Sequence, residues 1–191
     1  MAVAPNMPAR QVKGNVSAQD KILYVANKLG LSSLKYMQAT TRVVYDQILT
    51  ASTNHTLFEG CSQRAFPNTN LSDNQFQVDE ALLVEKIAFY EPNDDGISFS
   101  SGENYKFDLI IGNKTVIKDA VMMKGGEQAF STDGSASSLT YTLEGVGILI
   151  PPQVEFKVNV KPFDSTYTGI EERVGCYLYG TGVLLNFNTS I

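Results

Sequence analysis

From residue 31 onwards the chain is a succession of short runs rich in Val, Ile, Thr, Tyr and Phe, separated by clusters of Gly, Asn, Asp, Ser and Pro. β-Branched and aromatic residues fit a pleated, half-buried surface, whereas the separating residues favour turns. No helix-length periodicity alternates with these runs, which disfavours a parallel sheet built from βαβ units. The pattern therefore predicts an all-β domain.

The runs predict about eight strands, and their arrangement as two antiparallel sheets predicts a jelly-roll-like sandwich. The predicted strands are residues 39–50, 55–61, 80–90, 105–111, 115–122, 138–143, 148–160 and 175–186. Four long polar intervals read as loops at the ends of the sandwich. They are residues 63–75, 92–104, 124–137 and 162–173.

Three local patterns make these predictions specific. Residues 154–160 alternate apolar and polar side chains, as a strand with one wet face requires, and Pro151 and Pro152 before them predict a bend or a change of sheet. Residues 80–90 are apolar at both odd- and even-numbered positions, which lie on opposite faces of a strand, so the pattern predicts burial on both faces. Gly112 and Asn113 predict a two-residue hairpin with a type II′ turn.

The amino-terminal part has a different character. Residues 1–16 contain Pro5, Pro8 and Gly14 without sustained periodicity, so they predict an extended arm, or equally a frayed terminus. Residues 17–31 predict a short helix, with Ser17 as N-cap and Gly30 at its end. Residues 32–191 then form a single sandwich domain, since about 200 residues suffice for one unit of this kind.

The arm and helix supply the residues that the sequence nominates for contact with other subunits. They are Arg10 and Lys13 in the arm and Ile22, Val25 and Leu29 on one helix face. A helix of this length is marginal alone in water, so its apolar face must pack on its own domain or on a neighbour. Packing on its own domain is the simpler of the two.

Charge and hydropathy exclude several classes of partner. The formal net charge of -5 disfavours broad binding to nucleic acid. The first ten residues lack the apolar core of a signal peptide, and no apolar run approaches the length that spans a membrane. Residues 71–103 carry eight acidic side chains against one basic one, which suits either solvated loops or an acidic contact face.

No pattern for catalysis, cofactors or metals is complete. His55 and Cys61 are six apart without an orienting group, and two Cys with one His cannot build a zinc site of ordinary spacing. Asp94 and Asp95 lie in a turn sequence that lacks regular calcium-ligand spacing. We therefore expect no enzyme activity, cofactor or metal, and two buried free thiols.

Sugar or receptor binding is the alternative function. The aromatic residues of the predicted loops, Phe99, Tyr105, Phe163 and Tyr167, could line a shallow site. Tyr177 and Tyr179 alternate on the last strand and could also stack on sugar rings, although packing on a sheet face explains them as well.

Three segments carry a resemblance to a known family: residues 66–71, 80–90 and 148–156. In strand texture and order, the chain resembles jelly-roll structural proteins of bacteriophage heads, and most of all the capsid-associated proteins of crAss-like tailed phages. The resemblance implies a virion protein, assembled in the host cytoplasm, that contacts other capsid proteins and copies of itself. Because the chain is short for a principal shell subunit, it implies an auxiliary or decoration role.

Overall fold

The computed structural model describes residues 16–31, 37–48, 54–93, 96–98, 105–122, 139–143, 147–162 and 174–185. Within these ranges there are one α-helix, one 3-10 turn at Cys61–Gln63 and ten strands. The helix is α1 (Ala18–Leu29). The strands are β1 (Gln38–Ile48), β2 (His55–Leu57), β3 (Glu80–Asn93), β4 (Gly96–Ser98), β5 (Tyr105–Ile111), β6 (Lys114–Met122), β7 (Leu139–Thr142), β8 (Ile148–Ile150), β9 (Phe156–Pro162) and β10 (Val174–Leu184).

The strands form two antiparallel sheets. In the first sheet the order is β1-β10-β3-β4, and β7 and β8 also pair with β3, on successive parts of its length. In the second sheet the order is β2-β9-β5-β6. When β7 and β8 are counted as one interrupted strand beside β3, the sheet orders β1-β10-β3-β7/β8 and β2-β9-β5-β6 are those of a jelly roll. The predicted all-β sandwich is confirmed.

The core lies between the two sheets. Four phenylalanines, Phe58, Phe89, Phe107 and Phe156, are among its largest fully buried side chains. The rings of Phe89, from the first sheet, and Phe107, from the second, lie 5.1 Å apart. Burial of aromatic side chains from both sheets holds the two layers face to face.

A β-bulge in β3 explains why residues 80–90 are apolar on both parities. The pairing with β10 skips Glu85, so the core-facing positions change from even-numbered to odd-numbered residues there. Leu82 and Val84 face the core before the bulge, and Ile87 and Phe89 face it afterwards. Burial on both faces is confirmed only for the first part, where Ala81 and Leu83 are covered on the outer side.

The remaining strand predictions divide into confirmed and wrong ones. The change of sheet between residues 148 and 160 is confirmed, because β8 belongs to the first sheet and β9 to the second. The hairpin is also confirmed: Ile111 pairs with Lys114, and Gly112 has a φ of 56° while Asn113 is not in the positive-φ region, the sign pattern of a type II′ turn.

Two boundaries were wrong. The strand predicted at 55–61 ends at Leu57, because Phe58 and Gly60 have φ values of 71° and 68°, which turn the chain out of the extended conformation. The interval 92–104 was predicted as a loop, but β3 extends to Asn93 and pairs with β4 inside it. The strand number rises from the predicted eight to ten because β4 is added and the predicted strand 148–160 is divided into β8 and β9.

The predicted helix is confirmed together with its caps. Ser17 and Asp20 form a reciprocal capping box, and Gly30 ends the helix in the left-handed conformation with a φ of 69°. Val25 and Ala26 are buried against a second apolar cluster on the outer side of the first sheet. Among the described residues, no helix is long and apolar enough to cross a membrane.

Candidate interaction surface on the first sheet

The outer side of the first sheet carries four tyrosines from three different strands. Because Val44, Cys176 and Leu178 face the core, the residues beside them in β1 and β10 face outwards. Antiparallel pairing sets Tyr45 opposite Tyr177. We call the surface formed by Val43, Tyr45, Tyr90, Tyr177 and Tyr179 the tyrosine face.

The rings of the tyrosine face are in mutual contact. Tyr90 stacks on Tyr177 with ring centroids 4.6 Å apart, and Tyr45 lies at a tilt with its centroid 5.6 Å from that of Tyr177. Gly175 pairs with Tyr90 across the strands, and a Cβ there would come within 2.1 Å of the Tyr90 ring. The ring therefore lies flat over a position that only glycine can occupy.

Hydrogen bonds fix the deeper part of this surface. The hydroxyl of Tyr90 donates to Oε1 of Gln47 at 3.1 Å, and Nε2 of Gln47 donates to Oδ1 of Asn68 at 3.0 Å. Burial, followed by the nearby Tyr177, raises the pKa of both Tyr90 and Tyr45. These hydroxyls are thus protonated at neutral pH and can act as hydrogen-bond donors.

Exposure increases from one end of the tyrosine face to the other. Tyr90 is 5% exposed, whereas Tyr179 and Val43 are each 38% exposed. Val43 and Tyr179 are directly paired, so the two most open side chains are neighbours. Rigid aromatic side chains with one polar group are enriched at protein interfaces and also stack on sugars. The surface therefore has side chains of the kind that bind proteins or sugars.

The segment after β2 closes the free edge of β1 beside the tyrosine face. The side chain of Asn70 accepts from the backbone nitrogen of Tyr45 and donates to the carbonyl of Val43, both at 2.8 Å. The carbonyl of Asn68 accepts from the backbone nitrogen of Gln47. These contacts satisfy edge groups that would otherwise be free to pair with another strand.

A buried ion pair holds that segment in place. Asp46 is 0% exposed and accepts from Nε of Arg64 at 3.0 Å, from the second guanidinium nitrogen at 2.6 Å and from the backbone nitrogen of Phe58 at 2.6 Å. The carboxylate thus ties β1 to the turn that ends β2. Asp46 could not be identified from the sequence, because a lone Asp in a strand gives no signal of its distant partner.

The helix covers the other half of the same outer side. Val25 is 0% exposed, and Ile22 and Leu29 are partly buried against the same cluster, which contains Ala81 and Val183. Ile22, Val25 and Leu29 therefore pack on their own domain, which was the simpler of the two alternatives that the sequence left open. Contact with a neighbour through them would require the helix to leave the sheet. Arg10 and Lys13 lie outside the described residues.

A polar contact anchors the first turn of the helix on the sheet. Nζ of Lys21 donates to Oε1 of Glu85 at 2.7 Å and to Oγ1 of Thr181 at 3.2 Å, and the Thr181 hydroxyl donates to the same carboxylate oxygen at 2.6 Å. Glu85 is the bulged residue of β3, so the bulge gives this carboxylate its outward direction.

The cysteines are unsuited to nucleophilic chemistry. Cys61 and Cys176 are free and buried, as predicted. Burial, with the charge of Asp46 as a further cause, raises the pKa of the Cys61 thiol to about 11 and that of Cys176 well above its ordinary value. A thiolate is the reactive form, so neither side chain is activated. Within the described ranges, no group of three potential metal ligands comes together.

Most of the aromatic residues nominated for sugar binding fall in segments outside the described part of the chain. Phe99, Phe163 and Tyr167, and the acidic pair Asp94 and Asp95, lie outside the described residues. Of Tyr105 only the strand backbone is described. Tyr177 and Tyr179, which the sequence did indicate, are part of the tyrosine face. Tyr45 and Tyr90 were missed because strand order, not sequence distance, brings them there.

Comparisons with known proteins give no family. No family model and no curated protein matches the chain. One solved structure that matches is the empty head of Turnip Yellow Mosaic Virus, at 8% identity and a TM-score of 0.25, with 100% of this chain and 94% of that chain covered. A match at this TM-score carries no argument about fold or function.

Proposed function

We propose that this chain is a structural protein of a virus particle, an auxiliary or decoration component of a bacteriophage capsid that acts by protein–protein assembly and has no catalytic activity. The observation that carries the proposal is the tyrosine face on a jelly-roll sandwich. Jelly rolls recur in viral capsid and lectin domains, so the fold alone leaves both classes open.

Contrast between the two outer sides of the sandwich supports an assembly role. The outer side of the second sheet is polar, with Lys106, Asp108, Lys157, Asn159 and Lys161 along β5 and β9. Lys157 and Lys161 form ion pairs there with Glu59 and Asp108. The tyrosine face is rich in aromatic side chains, as an interface core is, with Lys86 as a charged neighbour paired with Tyr179. Repeated copies would bury this side and leave the charged side in solvent.

Incorporation into particles tests the proposal. In purified particles of a phage that carries the chain, quantitative mass spectrometry should find the wild-type chain at hundreds of copies if it decorates or builds the shell. Absence from the particles would overturn the proposal. A dozen copies would contradict the decoration role and indicate a vertex or tail protein.

A matched pair of variants tests the surface. Tyr179→Asp places a charge on the tyrosine face, and Val116→Asp places one at an equally exposed position in β6 of the second sheet, at 38% and 37% exposure. We expect loss of incorporation for the first variant alone. Equal incorporation of both variants would remove the tyrosine face from the proposed interface.

Carbohydrate binding is the second candidate, and the same exposed ring of Tyr179 favours it, because aromatic faces stack on sugars. Saturable binding of the purified chain to a glycan array, abolished by Tyr179→Ala and retained by Val116→Ala, would select this function. Absence of glycan binding together with particle incorporation would reject it.

A further inference from the structure

Lys86 adds a positive charge to the border of the tyrosine face. It faces outwards because the next residue, Ile87, faces the core. Its cross-strand partners are Tyr179 in β10 and Thr142 in β7, and Thr142 is exposed. Lys86 itself is half-buried between these two neighbours.

The acidic neighbour of Lys86 on the same side of the sheet is already engaged. Oε1 of Glu85 accepts from Nζ of Lys21 at 2.7 Å and from the hydroxyl of Thr181 at 2.6 Å. Within the described ranges, no ion pair includes Lys86. A carboxylate brought by a partner would therefore find an ammonium group with which it can form a charge-assisted hydrogen bond.

A second copy of the same surface does not supply that carboxylate. In a two-fold contact the same patch meets itself, so the acidic group would have to come from the tyrosine face or its border. Among the described residues of that surface, the acidic group is Glu85, which already binds Lys21 and Thr181.

The size of the surface also disfavours a symmetric dimer. The tyrosine face and Lys86, with β7 beside them, occupy three rows of outward positions on four strands, about 20 Å by 19 Å at roughly 3.4 Å per residue and 4.8 Å per strand. Two such areas together amount to about 800 Å², below the roughly 1,200 Å² from which stable protein interfaces begin.

An extended peptide segment fits both the dimensions and the chemistry. About six residues in the extended conformation cover 20 Å. Val43 and Tyr179 are paired and each 38% exposed, so they offer an apolar contact to one side chain of the segment. Lys86, directly beside Tyr179, offers its charge to another.

The small area of open ring disfavours a sugar on the same surface. Tyr177 has Tyr90 stacked on it at 4.6 Å and Tyr45 beside it at 5.6 Å, and the exposed ring of the tyrosine face is that of Tyr179. Val43, which pairs with Tyr179, offers no hydrogen bond, and covering a sugar hydroxyl without one costs free energy.

We propose that the tyrosine face and Lys86 together bind an extended, acidic segment of a different protein, with an apolar side chain of the segment on Val43 and Tyr179 and a carboxylate at Nζ of Lys86. The inference deepens the proposed function, in which that protein is a neighbouring component of the particle. Only this identity of the partner rests on the proposed function.

A peptide array tests the proposed chemistry. The probes are seven-residue peptides with Glu, Gln or Lys at the centre and mixtures of Val, Leu, Phe, Thr and Ser at the other positions, and the labelled full-length chain is applied to them. We expect the Glu-centred peptides to bind about tenfold more tightly than the Gln-centred ones, as a charge-assisted hydrogen bond predicts.

Variants of Lys86 assign the preference to this side chain. Lys86→Met should remove the preference for Glu, and Lys86→Glu should reverse it towards the Lys-centred peptides. Lys118→Met, which removes the charge of an exposed lysine in β6 of the second sheet, should leave the preference unchanged. Far-ultraviolet circular dichroism establishes that each variant is folded.

Several outcomes would overturn the inference. They are equal or absent binding of the Glu- and Gln-centred peptides, and an unchanged preference in Lys86→Glu. Binding of oligogalacturonate in place of the peptides would assign the surface to an acidic glycan, and dimerisation in analytical ultracentrifugation that Lys86→Glu abolishes would assign it to a second copy.

The array uses the free chain, which separates this inference from the proposed function. Incorporation into particles without a preference for Glu would refute the inference alone. A preference for Glu in a chain that is absent from particles would refute the proposed function alone.

Discussion

The buried ion pair of Asp46 gives the sharpest prediction about stability. Asp46→Ala leaves the backbone nitrogen of Phe58 without its acceptor, which costs about 1–3 kcal/mol, and it removes both hydrogen bonds to the Arg64 guanidinium. Breaking a buried pair costs about 3–5 kcal/mol. Because the Arg64 side chain is 25% exposed and can regain water, we expect the lower end, about 3 kcal/mol.

Substitution of Arg64, the partner of Asp46, should cost at least as much stability. Arg64→Ala leaves the carboxylate of Asp46, which is 0% exposed, without a compensating charge, so we expect about 3–5 kcal/mol. The double variant should lose less stability than the sum of the two single variants, because each single one leaves a group unpaired. Asp46→Asn should fall between wild type and Asp46→Ala, since its amide oxygen can still accept from Phe58.

Urea unfolding followed by far-ultraviolet circular dichroism measures these free energies, with an exposed ion pair as control. Lys157 and Glu59 are 2.9 Å apart but 35% and 55% exposed, so Lys157→Ala should cost about 0–1 kcal/mol. A loss below about 1 kcal/mol for Asp46→Ala would refute the reasoning that this carboxylate ties β1 to the turn after β2.

Three further predictions follow from single residues. Gly175→Ala should destabilise the fold by about 1–3 kcal/mol in the same urea assay, because its Cβ would lie 2.1 Å from the Tyr90 ring; an unchanged midpoint would contradict this contact. Ser17→Ala should cost about 1 kcal/mol of helix stability and speed hydrogen exchange of the α1 amides, and unaltered exchange would show that the cap is dispensable. The free energy of unfolding should fall as pH rises from 9 to about 11, since the unfolded chain releases the Cys61 proton at a lower pH than the folded chain. The raised pKa values of Cys176, Tyr90 and Tyr45 contribute to the same fall, so Cys61→Ala should reduce the slope without abolishing it, and equal slopes would contradict the prediction.

Local patterns predicted local structure well. The capping box at Ser17, the hairpin at Gly112 and the sheet change marked by Pro151 and Pro152 all depend on residues within a few positions of one another. The end of β2 also depends on local backbone conformation. Phe58 is left-handed there, a conformation that is sterically unfavourable for a bulky residue, so the residue type did not indicate the end of the strand.

Features that depend on strand order were not visible in the sequence. The bulge at Glu85 becomes apparent only when β3 is paired with β10, and it reassigns which apolar residues face the core. The tyrosine face joins Tyr45, Tyr90 and Tyr177, which are 45 and 87 positions apart along the chain. The alternation of residues in the sequence predicted that Tyr177 lies on a sheet face, but it could not predict which residues lie beside Tyr177, because strand order decides them.

The position of the helix decides which part of the outer side of the first sheet is exposed. α1 buries Val25 and Ala26 on the half of the outer side that contains Ala81 and Leu83, so that half is complete within the monomer. The bulge turns Glu85 outwards to pair with Lys21, which fixes where the helix begins and hence where its cover ends. Beyond that boundary the outer side continues with Lys86 and Tyr179, which are paired, and then with the other tyrosines. The exposure of the tyrosine face is therefore a consequence of helix length: about two more turns towards the amino terminus, roughly 11 Å at 1.5 Å per residue, would cover the rings near Tyr179.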